Sequence, residues 1–90
     1  MGTALITLKL MPSSPEVDLV EVKTKAKEII EENKGTKIRF EEVPIAFGLK
    51  AIHAFFDLDE SRELEPIENK LAKIENVNSV QVVDMRRAFG

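Results

Sequence analysis

The apolar residues of this 90-residue chain predict an α+β fold with the element order β-α-β-β-α-β. Three observations carry that prediction. Four stretches read as strands, the first two by apolar–polar alternation and the other two by runs rich in large apolar or β-branched residues. Two others repeat apolar residues at intervals of three and four, as helices lying on a core do. Breakers separate them: Pro12-Ser13-Ser14-Pro15, Gly35, Pro44 with Gly48, and a charged run at Asp57–Arg62. Right-handed crossovers fold this order into a split sandwich of ferredoxin-like type, with both helices on one face of a four-stranded antiparallel sheet. The first and last strands are expected at the centre, and the second and third are expected to form a hairpin.

The first strand runs from Thr3 to Met11, with Ala4, Ile6, Leu8 and Leu10 on one face and Thr3, Leu5, Thr7 and Lys9 on the other. Asp18 reads as the N-cap of the first helix. Glu21 stands at the capping-box position, and Val17 and Val22 are placed for a hydrophobic staple. Ser14 before Pro15 is a rival start. Leu19, Val22, Ala26, Ile29 and Ile30 form the apolar stripe, and Gly35 suits the left-handed position beyond the last turn. The second strand, Lys37 to Val43, turns Ile38 and Phe40 one way and Lys37, Arg39 and Glu41 the other; Glu41-Glu42 breaks the alternation and predicts a bulge there.

Leu49 to Leu58 is the third strand, with Ile52, Ala54, Phe56 and Leu58 sharing a face, and His53 and Phe55 on the open one. A charged turn follows. Leu64, Ile67, Leu71 and Ile74 make the second helical stripe. Pro66 is tolerated only in a first turn, so the helix is expected to start near Arg62 or Glu63. Asn76 ends it, and Val77 to about Met85 is the fourth strand, leaving Arg86-Arg87-Ala88-Phe89-Gly90 as a tail.

Residues 1–90 are enough for a single domain with one core, but not for a deep enclosed active site. The chain has no cysteine and one histidine, which excludes disulfides and argues against structural zinc. A net charge of −3 argues against general nucleic-acid binding, which needs a basic excess. The N-terminus lacks an apolar run long enough for a signal peptide or a membrane span, so a soluble, cytoplasmic protein is expected.

No motif supplies catalytic chemistry. Asp57, Asp59 and Glu60 lack the glycine and distal glutamate of a calcium loop and read as a solvated turn. His53 has no nucleophile placed beside it by any motif. Gly35 and Gly48 are isolated, so no phosphate-cradling loop exists; neither bound nucleotide nor any other cofactor is expected. Sheet-face RNA binding would need several exposed aromatics, and Phe55 stands alone.

Two features remain. Pro44-Ile45-Ala46-Phe47-Gly48-Leu49-Lys50 reads as a hairpin tip in which small neighbours leave Phe47 clear of the backbone. Phe47 either caps the end of the sheet or is presented to a partner. Arg86-Arg87 is either a solvated tail or a cation pair delivered to an acidic or phosphate-lined site.

Over essentially its whole length the chain resembles the archaeal elongation factor 1-beta family. The resemblance is carried by Leu10-Met11-Pro12, by Pro44–Lys50 and by Val80-Gln81-Val82-Val83-Asp84-Met85. It implies a guanine-nucleotide exchange domain acting on elongation factor 1-alpha, a GTPase, with no covalent chemistry of its own. It also implies that Phe47 is the aromatic that enters a pocket on the GTPase, with Gly48 and Lys50 beside it. Eukaryotic members carry a lysine near the last residue, pushed toward the GTPase's magnesium site. No lysine follows Asp84 here, and Arg86 or Arg87 is the available substitute. The alternative of another class is a ferredoxin-like regulatory or scaffold module that pairs sheet edges as a homodimer and has no GTPase partner.

Overall fold

The computed structural model describes residues 2–88. Its elements are β1 (Thr3–Pro12), α1 (Leu19–Glu32), β2 (Thr36–Pro44), a 3-10 turn at Ala46–Gly48, β3 (Lys50–Asp59), α2 (Glu65–Ala72) and β4 (Val77–Ala88). The order and the ferredoxin-like sandwich are those the sequence predicts. The four strands form one antiparallel sheet in the order β2-β3-β1-β4.

The centre of the sheet is therefore β1 and β3, and the expectation of a central β4 is corrected. Each crossover skips one strand position. The α1 connection leaves a gap between β1 and β2, which β3 fills by returning from the hairpin; α2 then carries the chain across β1 to the far edge. The composition fits this order. Neither β2 nor β4 contains a buried residue, and both carry the charges that protect sheet edges.

Ile6, Leu8 and Leu10 of β1 and Ile52, Ala54, Phe56 and Leu58 of β3 form the floor of the core. Val22, Ala26 and Ile30 of α1 and Ile67 and Leu71 of α2 close it from above. Each fully buried large side chain contributes about 1.5–3 kcal/mol.

Asp18 caps α1 as predicted, its Oδ1 accepting from the amides of Val20 (3.0 Å) and Glu21 (3.4 Å). The Glu21 carboxylate turns instead to Lys25, 3.1 Å away. At the other end, Lys34 takes the left-handed conformation (φ 70°), not Gly35. The Gly35 amide donates to the Ile30 carbonyl (2.8 Å) and that of Lys34 to Glu31 (3.0 Å), the two bonds of a Schellman motif. Gly35 is needed for space: a Cβ there would sit 2.2 Å from Ile30 Cγ2.

The bulge in β2 also lies elsewhere than expected. Glu41, Glu42 and Val43 pair in unbroken register with His53, Ile52 and Ala51, and the irregularity falls between Thr36 and Arg39, where Lys37 has φ 53°. Glu42 breaks the polar alternation because it faces α1, where Lys23 takes its carboxylate. β3 continues through Asp59, so Asp57 and Leu58 belong to the ladder. Asp59 then organises the turn, accepting from the Ser61 amide (2.9 Å) and hydroxyl (2.7 Å). That turn delays α2 to Glu65, with Pro66 in its first turn.

Candidate docking hairpin

Pro44 opposite Lys50 is the last pair of the β2–β3 ladder. Beyond it the Ile45 amide donates to the Leu49 carbonyl (2.8 Å), and the Leu49 amide donates to Ala46 (3.3 Å). Ile45 and Leu49 are half-buried and anchor the loop. Closing it with three residues forces two consecutive left-handed backbones, at Phe47 (φ 62°, ψ 32°) and Gly48 (φ 75°). For a residue with a Cβ this conformation costs about 1–2 kcal/mol. Glycine removes that cost at Gly48, where an added Cβ would meet nothing within 4 Å; only the backbone angle demands it. Phe47 bears the strain, and its side chain is 93% exposed. The ring is neither core nor a cap on the sheet.

Lys50 lies at the base of the hairpin on the helix side. Its Nζ is 4.0 Å from Glu42 Oε1, while Glu42 Oε2 binds Lys23 of α1. That hydrogen bond, with the Lys23 charge behind it, holds the Glu42 carboxyl below its ordinary pKa. Glu42 thus ties the hairpin stem to α1, a link that single-sequence reading missed because it depends on which face the second of two adjacent glutamates takes.

Phe47, Gly48 and Lys50 are brought together; Arg86 and Arg87 are not brought to them. The arginines are not a tail. Ala88, Arg87 and Arg86 pair with Thr3, Ala4 and Leu5, because β1 is long enough to offer partners to the end of β4. Phe89 and Gly90 lie outside the described residues. Leu5 is opposite Asp57, which lies seven residues from Lys50, so about 23 Å of strand separates Arg86 from the hairpin base. Arg86 pairs with Asp84 and Arg87 with Glu60, each at 2.8 Å.

The open sheet face holds a further feature that the sequence did not reveal. Arg39 lies over the Phe55 ring, 4.4 Å from its centroid, and covers the one aromatic expected to stand free there. The pairing needs the β2–β3 register, which the Lys37 bulge displaces. His53 sits between Glu41 and Lys9 in the same sheet. Among the described residues no cluster of three or more His, Asp or Glu side chains is arranged to hold a metal. No helix among them is long and apolar enough to cross a membrane.

These features define a small ferredoxin-like domain that holds one aromatic ring clear of its own fold on a tightly closed turn. Residues 5–88 match the model of the EF-1 guanine nucleotide exchange domain. The chain belongs to that family, among the archaeal elongation factor 1-beta proteins. It is 40% identical to elongation factor 1-beta of Methanocaldococcus jannaschii over 98% of this chain and 100% of that one. The corresponding protein of Methanothermobacter thermautotrophicus is also 40% identical, over 97% and 98%. That of Methanosarcina barkeri is 41% identical, over 97% and 99%.

Proposed function

We infer that this protein promotes exchange of GDP for GTP on elongation factor 1-alpha, with Phe47 as the anchor that docks it on the GTPase. The family supports the exchange role in translation. The observation that carries the anchor is the 93% exposure of Phe47 on a backbone strained to present it. A solvent-facing aromatic gains nothing for the isolated domain and is the residue type that dominates binding energies once buried.

The mechanism is linkage. A GTPase holds GDP through its phosphates, a magnesium ion and ordered switch segments. A factor that binds the emptied, distorted GTPase more tightly than the GDP form must weaken GDP by the same ratio. GTP, the more abundant nucleotide, then enters and the factor leaves. No bond of any substrate is made or broken by this chain. Lys50 adds electrostatics beside the ring, and one of the two arginines reaches a second part of the same partner.

Stopped-flow release of labelled GDP from the cognate GTPase tests this. Wild-type protein is expected to accelerate release, and Phe47→Ala to reduce that acceleration at least tenfold, about 1.4 kcal/mol and so below the roughly 2–4 kcal/mol that truncating a buried anchor costs. Unchanged release by Phe47→Ala removes the anchor role.

A further inference from the structure

We propose that a notch beside the hairpin receives a carboxylate side chain of the same GTPase that takes Phe47; this rests on the exchange reading above. The notch, about 150 Å³, lies between the β1–α1 loop and the hairpin, lined by Pro12, Ser14, Pro15, Leu19, Gly48 and Lys50. Its volume suits one side chain. Two prolines with fixed φ stiffen one wall, so the notch exists before any partner arrives.

Its polar groups select the guest. Among the described residues the Ser14 hydroxyl makes no hydrogen bond. The Lys50 ammonium is 4.0 Å from Glu42 Oε1, too far for a hydrogen bond, and Glu42 is already bound through its other oxygen to Lys23. Ser14 and Lys50 both line the notch, Ser14 with an unengaged hydroxyl and Lys50 with an ammonium held only by a long ion pair to Glu42. A carboxylate has two oxygens and can accept from both. A cationic guest would meet the Lys50 charge, and an apolar one would strip water from both donors without replacing its hydrogen bonds. Gly48 joins the notch to the anchor: it lines the notch and is the residue after Phe47. A surface that buries the Phe47 ring therefore covers the notch as well.

The test is the dissociation constant for the nucleotide-free GTPase, measured by calorimetry at two salt concentrations, together with GDP release. Lys50→Met is expected to weaken binding about three- to tenfold and to flatten the salt dependence. Lys50→Glu is expected to weaken it more than Lys50→Met, and Lys50→Arg to stay within about threefold of wild type. Ser14→Phe, which fills the notch, is expected to lose about tenfold or more. If Ser14→Phe fails to fold, the Lys50 series alone decides the matter.

If Lys50→Glu and Ser14→Phe bind within about twofold of wild type while Phe47→Ala loses binding, the notch is empty in the complex and the exchange reading stands. Tighter binding by Lys50→Glu means a cationic guest and overturns the proposal. If wild-type protein does not accelerate GDP release, the exchange reading falls and the notch falls with it.

Discussion

Arg86 and Arg87 project from opposite faces of the sheet, since Arg86 pairs with Leu5 on the open face and Arg87 with Ala4 on the helix face. The pleat thus divides a basic dipeptide that looks like one feature in the sequence. A single docked surface can take one of the two into a tight site, not both. The effect of Arg86→Ala with Arg87→Ala on nucleotide release is therefore expected to reside in one single variant, with the other within about twofold of wild type. Equal losses in both single variants would contradict this. Cutting the chain after Met85 is a poorer experiment, because it also removes three residues of the β1–β4 ladder.

Phe47 is the place where stability and binding pull apart. Its left-handed backbone costs the fold about 1–2 kcal/mol, and its exposed ring returns almost nothing. Phe47→Gly relieves the strain but adds entropy to the unfolded chain, so a net gain of about 0.5 kcal/mol or more is expected in urea unfolding. The same variant is expected to lose exchange activity as Phe47→Ala does. A marked loss of stability would show that the ring supports the hairpin, in conflict with its exposure.

The α1 terminus offers a paired prediction. Lys34 occupies the left-handed position that glycine favours, and Gly35 occupies a position that Ile30 crowds. Lys34→Gly is expected to stabilise the domain by about 0.5–1 kcal/mol. Gly35→Ala is expected to destabilise it by about 1–3 kcal/mol, because the Ile30 side chain is fully buried and cannot yield freely. Urea midpoints at constant slope would measure both, and opposite signs are the outcome that matters.

Much of this was legible in the sequence. Strand alternation gave the core faces of β1 and β3, and Asp18 gave the start of α1. The residues around Phe47 left open whether its ring caps the sheet or stands clear, and the family resemblance pointed to the second, which its 93% exposure bears out. What was not legible depends on pairing. Which strands are central is decided by where crossovers land, although the charges of β2 and β4 and the apolar faces of β1 and β3 hinted at it. The end of β4 is set by the length of β1 opposite it, so Arg86 and Arg87 read as a tail until the register was known. Gly35 looked like a backbone requirement because the side chain that crowds it, Ile30, lies back in the last turn of the preceding helix. Of the five candidate site residues, the three near Phe47 are local to one turn and came together; the arginines are remote from it and did not.

Glu42 links hairpin, helix and pH. Its carboxyl is held below its ordinary value of 4.5 by the hydrogen bond from Lys23, with the charges of Lys23 and Lys50 acting in the same direction. A carboxyl whose pKa is depressed in the folded state contributes stability that is present above its unfolded pKa. That contribution is lost as pH falls through the folded value. The domain is therefore expected to lose stability on acidification below about pH 4.5, and Glu42→Gln is expected to flatten that part of the profile while lowering stability at neutral pH. Asp59, held low by the hydroxyl and amide of Ser61, contributes in the same direction and remains in the variant, so the flattening should be partial. Thermal unfolding from pH 3 to 7 for wild type and Glu42→Gln measures the difference. Parallel profiles would mean that the Lys23 bridge does not hold in solution, and that the hairpin stem is not tied to α1 through it.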